Sequence, residues 1–223
     1  MMRFFLILLP LFSLAQTPDT MHHTYTYLAL GDSYTIGESV PLHKSFPYQT
    51  VCLLRQGGYH MVAPEIIAKT GWTTDELEEG MKGFQFLPKY DFVTLLIGVN
   101  NQYRGRAIIE YKEQFEHLLQ KSIALAGGKP DHVIVLSIPD YGVTPYAANK
   151  NPEKIAKEID EYNTLNKAIS IQYKVLYLDI TESTRKAKTT SGLIAPDGLH
   201  PSEKEYAKWA KKLAPMLKEK MKK

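Results

Sequence analysis

The sequence predicts an α/β fold of three layers, with helices on both faces of a five-stranded parallel sheet. Apolar runs at 25–30, 60–69, 90–97, 131–138 and 174–180 have strand length, and the last three are unbroken, as suits strands covered on both faces. Segments with apolar residues at helical spacing lie between them, and strands alternating with helices mark parallel βαβ units. Pro64 interrupts the second run. A residue without an N–H cannot serve an interior ladder, which places that strand at a sheet edge. An edge second strand fits the flavodoxin-like strand order 2-1-3-4-5.

Each helix has its own signals. Residues 46–56 run into Gly57-Gly58, a stop. Thr73 followed by Glu76 has the form of a capping box opening a short helix. Ile108, Tyr111, Phe115, Leu118 and Leu119 repeat at helical spacing ahead of Gly127-Gly128. Ile155, Ile159, Tyr162, Leu165, Ile169 and Tyr173 do so behind Asn151-Pro152, an N-cap with proline at the first helical position. Ser202 and Glu205 form a second capping box before a last helix at about 203–220. Residues 181–201 read as one long polar loop, and such loops in compact domains are often functional.

The first residues read as a targeting segment. Arg3 gives a positive start, residues 4–12 an apolar core, and Ser13-Leu14-Ala15 small residues at the positions a signal peptidase requires. Residues 1–15 are therefore expected to be a secretory signal, too short for a membrane span, and no cysteine follows them for lipid attachment. Residues 16–23 read as a flexible lead-in and 24–223 as one folded domain, exported to the periplasm or secreted. A net charge of +3 is too weak to argue for nucleic acid. The single cysteine, Cys52, excludes an internal disulfide and reads as a packed structural thiol between Val51 and Leu53.

In a parallel sheet of this kind ligands bind outside the carboxyl ends of the strands. The residues that follow the five strands are Gly31-Asp32-Ser33, Thr70-Gly71-Trp72, Gly98-Val99-Asn100-Asn101, Pro139-Asp140-Tyr141-Gly142, and a loop that reaches Asp197 and His200. Topology alone brings them to one rim. Ser33 there has the makings of a nucleophile, which needs a base to take its proton. His200 can serve as that base, since imidazole titrates near neutral pH, and Asp197 can fix its tautomer. The backbone N–H groups of Ser33 and Gly71 and the Asn100 amide are available donors for an oxyanion. These parts describe acyl transfer to water.

The same residues carry a family resemblance. Gly31-Asp32-Ser33-Tyr34, Gly71 within 68–74, Gly98-Val99-Asn100 and Asp197-Gly198-Leu199-His200-Pro201 occur in that order and span most of residues 25–210. The chain resembles the SGNH hydrolases, the GDSL esterase/lipase superfamily, whose four name-giving positions map to Ser33, Gly71, Asn100 and His200. The resemblance implies a flavodoxin-like fold and ester hydrolysis without metal or other cofactor. Many members have Asp after the third-block Asn, where this chain has Asn101.

Asp32, Trp72, Asn101, Tyr103, Arg104 and Tyr141 are the candidate substrate-binding residues, by their places beside these blocks. His22-His23 has no further ligands at metal-binding spacing. The lysines at 208, 211, 212, 218, 220, 222 and 223 form a basic helical face, solvated or able to meet an anionic lipid surface. The expected protein is a serine esterase. Short connections without a cap domain favour small-molecule or glycan esters with short acyl groups, such as acetyl on carbohydrate. A lysophospholipase or thioesterase acting on longer chains is the alternative within this chemistry. A non-catalytic carbohydrate- or lipid-binding module is the alternative outside it.

Overall fold

The computed structural model describes residues 23–221. The expected signal segment, most of the lead-in, Lys222 and Lys223 lie outside the described residues. In chain order the elements are β1 (Tyr27–Asp32), α1 (Ser33–Ile36), α2 (Phe46–Gln56), β2 (Glu65–Lys69), α3 (Thr74–Lys82) and β3 (Phe92–Leu96). Then follow α4 (Val99–Tyr103), α5 (Ile108–Leu125), β4 (Val133–Leu136), α6 (Pro152–Gln172), β5 (Leu176–Leu178), α7 (Thr181–Arg185) and α8 (Glu203–Lys218).

The strands form one parallel sheet in the order β2-β1-β3-β4-β5. Leu30 in β1 sits opposite Ile67 of β2 and Leu95 of β3, and Val135 of β4 opposite Tyr177 of β5. β2 is the expected edge strand, and it begins directly after Pro64. The residues before that proline contribute only a bridge between Tyr25 and Met61, because the ring cannot donate into the ladder. β5 is likewise shorter than its apolar run, since the chain leaves α6 through Lys174 in a left-handed conformation with φ 59°.

α2 and α8 pack on each other, while α5 packs against both α3 and α6. A right-handed first crossover towards the edge, followed by crossovers in the other direction, puts these two groups on opposite faces. The α2/α8 layer closes on a cluster of Phe46, Tyr206 and Trp209. The exit from β3 depends on Gly98. Its φ is 128°, and a β-carbon there would lie 2.6 Å from Tyr111 and 2.8 Å from Ile138. No other residue lets the strand turn into α4 beneath the packed rings of α5.

Three sequence expectations need correction. Cys52 is exposed. The buried residues of α2 include Phe46, Thr50, Val51 and Leu54, and on a helix an apolar neighbour in sequence is not a neighbour on the same face. The 181–201 stretch is not one loop but holds α7 and a 3₁₀ turn at Lys186–Lys188. The capping box of α3 forms in both directions, whereas that of α8 forms in one. Ser202 Oγ accepts from the Glu205 N–H, but the buried Glu205 carboxylate accepts from Ser183 Oγ at 2.5 Å and Trp209 Nε1 at 3.0 Å instead of turning back. Two converging buried donors outcompete one backbone N–H at a helix end.

Candidate active site

At the carboxyl end of β1 the chain turns directly into α1. Asp32 is the N-cap, and its Oδ1 accepts the Tyr34 N–H at 3.0 Å. This cap sets Ser33 at the first helical position, facing the rim. The loop between α7 and α8 arrives opposite. It is closed on itself by the Ala195 N–H donating to the His200 carbonyl at 2.8 Å and the Ser202 N–H to that of Leu193 at 2.9 Å.

Ser33 Oγ lies 2.9 Å from His200 Nε2, and His200 Nδ1 lies 2.6 Å from Asp197 Oδ2. An ionised carboxylate only accepts, so the proton is on Nδ1, and Nε2 is left to accept from the serine hydroxyl. Asp197 Oδ1 accepts the N–H groups of Leu199 at 2.9 Å and His200 at 3.0 Å, and Oδ2 also accepts from Ser39 Oγ at 2.6 Å. Partial burial works to raise the Asp197 carboxyl. The bonds from Ser39 and His200, with those from the two backbone N–H groups, outweigh it and hold the group at about 2.

Ser33 and His200 open onto a cleft of about 120 Å³. Gly71 and Asn100 line it on the β2 and β3 side, and Tyr34, Tyr103, Tyr141 and Tyr146 are also in its wall. Gly71 has φ 82°, and the Asn100 amide donates to the Trp72 carbonyl at 2.9 Å. That bond fixes the amide plane and uses one of its two N–H groups. Tyr34 also packs against the His200 ring at a centroid distance of 5.3 Å. A hydroxyl, an imidazole and a carboxylate in series beside candidate oxyanion donors can take a proton from serine and stabilise an anionic tetrahedral intermediate.

A family profile, described as the GDSL-like lipase/acylhydrolase family, matches residues 29–208. The chain belongs to this family. No curated protein matches the sequence significantly. Among solved structures it is similar to an acetylxylan esterase, Axe2, from Geobacillus stearothermophilus, with 19% identity, a TM-score of 0.69, and coverage of 86% of this chain and 94% of the other. A lipase/acylhydrolase from Enterococcus faecalis gives 17% identity and a TM-score of 0.69 over 89% and 97% of the two chains. TesA gives 18% and 0.67 over 88% and 99%. At such identities these likenesses speak for the fold.

Within this GDSL-like hydrolase the substrate-binding candidates divide. Tyr103 and Tyr141 line the cleft. Arg104 stands at its edge, donating to the Gly71 carbonyl at 2.6 Å and pairing with Glu76 at 3.0 Å. Asn101 is fully buried and turned away. It accepts the Thr74 N–H at 3.1 Å and donates to Thr74 Oγ1 at 2.7 Å, pinning the start of α3. An amide can do both, where a carboxylate could only accept. Trp72 also leaves the cleft, its indole lying so close over Gly80 that a β-carbon there would come within 2.1 Å of the ring. Thr70, Val99 and Leu199, which the sequence places in the rim segments without a role, also line the cleft, while sequence reasoning missed Tyr146 and Ser39. Tyr146 lies on a 3₁₀ turn inside a loop and shares a 2.7 Å hydroxyl contact with Tyr103.

Asp32 is 1% exposed and does not line the cleft. Burial pushes its carboxyl up to about 7, against the bond from the Tyr34 N–H. A folded-state value above the unfolded one means that the stability tied to the protonated form is complete below about pH 4. It is lost as pH rises through about 7. Asp32→Asn keeps an acceptor for Tyr34 and removes the titration. At pH 8 the variant is expected to melt higher than wild type by on the order of 5 °C, with the gap narrowing to roughly a third by pH 5. Thermal melts at the two pH values check this, and an equal difference at both would contradict it.

Among the described residues no group of three or more His, Cys, Asp and Glu side chains is arranged to hold a metal ion, and no helix is long and apolar enough to cross a membrane. His23 is engaged by Asp91 at 2.9 Å. Part of the basic face of α8 is spent internally: Lys208 pairs with Glu205 at 2.9 Å, and Lys220, just past the helix, with Asp131 at 2.9 Å.

Proposed function

We propose that the protein is an exported serine esterase that hydrolyses carboxylic esters of short acyl groups, such as acetyl on carbohydrate, through an acyl-serine intermediate. The observation that carries this reading is the Ser33–His200–Asp197 series opening onto a cleft of only about 120 Å³. Pockets for drug-sized ligands run to roughly 300–1,000 Å³. Ser33 attacks the carbonyl carbon as His200 takes its proton, and the imidazolium returns that proton to the leaving alcohol. Water then repeats the sequence on the acyl-enzyme and releases the acid. The backbone of Ser33 and Gly71 and the Asn100 amide are the donors for the oxyanion. The charge pattern at 1–15 supports export.

The carbohydrate part rests on the rim. Tyr103 and Tyr146 are both nearly half exposed, at 46% and 44%, beside the mouth of the cleft. Lys150 Nζ lies over both rings, at 4.9 and 5.5 Å from their centroids, and the ring surface left exposed, with the two hydroxyls and this ammonium, suits a polyhydroxylated sugar. Acetate release from an acetylated oligosaccharide is the test. Tyr146→Ala is expected to raise KM for that substrate about tenfold and to leave p-nitrophenyl acetate hydrolysis within about twofold. Absence of acetate release by an enzyme active on p-nitrophenyl acetate would remove carbohydrate from the proposal.

A further inference from the structure

We infer that Ser39 is a positioning residue, whose hydroxyl holds Asp197 in the orientation that meets His200. The inference rests on the esterase reading above. Its first support is conformation. Among the described residues only Ser39 and Lys174 are non-glycine residues at positive φ, and Ser39 has φ 64°. Lys174 follows the C-terminus of α6, where a left-handed residue is routine. Ser39 ends no helix, since Gly37 already caps α1. Such a conformation in an ordinary residue is kept where the surroundings over-determine it, often at functional sites.

What the conformation achieves is a bond across the site. The hydroxyl reaches Asp197 Oδ2 at 2.6 Å, across a sequence separation of 158 residues. The carboxylate's other donors, the N–H groups of Leu199 and His200 and the ring Nδ1 of His200, all come from Asp197's own loop. With Ser39 each oxygen accepts two bonds, which fills the roughly four sites a carboxylate offers. Ser39 is thus the donor that ties the acid to the nucleophile's side of the molecule. The same turn is tied on its other side, where Thr70 Oγ1 donates to the Glu38 carboxylate next to Gly71. One short turn therefore spans the acid, the nucleophile and an oxyanion segment.

Hydrolysis of p-nitrophenyl acetate between pH 5 and 9 by Ser39→Ala, Ser39→Gly and Asp197→Asn tests the inference. Glycine keeps the left-handed turn without cost and removes only the hydroxyl, so it separates the bond from the backbone. Both Ser39 variants are expected to lose about tenfold in kcat with KM within about twofold. The acid limb of kcat/KM should move up by about half a pH unit, because a carboxylate with one donor fewer attracts the imidazolium more strongly. Tyr34 on α1 and Tyr206 on α8 feel the Asp197 charge, and burial pushes both tyrosines up, away from this window; Glu38 adjoins Ser39 in the chain. Ser39 variants within twofold of wild type with an unmoved acid limb would overturn the inference, as would a loss confined to Ser39→Ala. If Asp197→Asn then loses about 1,000-fold or more, the esterase reading stands without Ser39; full activity in Asp197→Asn would bring down the reading beneath it.

Discussion

Ser33→Ala is expected to lower kcat on p-nitrophenyl acetate by about 1,000-fold or more while changing the melting temperature by no more than about 2 °C. The serine hydroxyl's partner is His200 Nε2 at 2.9 Å, and its removal leaves an imidazole with no hydroxyl to activate. The fold has little stake in that hydroxyl. Ser33 is held by the cap at Asp32 and by the sheet, neither of which uses Oγ. The loss should appear in kcat and kcat/KM together, as for an interaction made in the transition state. Residual rate comes from whatever the oxyanion donors still supply to water attack, each typically worth about 100- to 1,000-fold. Initial rates and a thermal melt on the purified variant read both halves of the expectation. Undiminished activity would end the role proposed for Ser33.

Activity across p-nitrophenyl esters should fall by about 100-fold between acetate and octanoate. Six added methylenes would each gain about 0.8 kcal/mol if an apolar trough received them. Tyrosine rings line the cleft of about 120 Å³, and one of them, Tyr141, 5% exposed, is packed into the core. Burial pushes the Tyr141 hydroxyl up to about 12, against a hydrogen bond with Gln102. Admitting a longer chain means displacing such a ring, and overpacking typically costs about 1–3 kcal/mol, or roughly ten- to a hundredfold in rate. A series from acetate to palmitate checks this. An optimum at eight carbons or more would replace the short-acyl reading with a lysophospholipase or thioesterase one.

The sheet was legible in the sequence because three of its strands lie in unbroken apolar runs and one proline marks an edge. The placement of Ser33, Asp197 and His200 was legible for a different reason: topology forces every strand's carboxyl end to one rim. Where reading failed, the cause was local direction. Asn100 and Asn101 are adjacent in sequence, but on the turn of α4 successive side chains point about 100° apart. One faces the cleft and the other pins α3. Trp72 follows Gly71 and yet belongs to the packing over Gly80. Cys52 was misjudged in the same way on α2. Ser39 and Tyr146 sit on irregular turns, where no periodicity exists to read and only coordinates show what a side chain reaches.

Asp197 and His200 travel together on one closed loop, three residues apart, whereas Ser33 is 167 positions away from His200. Contacts of that separation form only after a large loop closure has been made favourable by other packing. Here the packing that brings them together is α2 against α8, whose aromatic cluster joins the first and last parts of the sheet domain. Hydrolysis therefore reports something that circular dichroism of the helices does not. During refolding, the return of turnover times the docking of the chain's last helix, and a fragment that forms the sheet without that helix would have every strand in place and no enzyme.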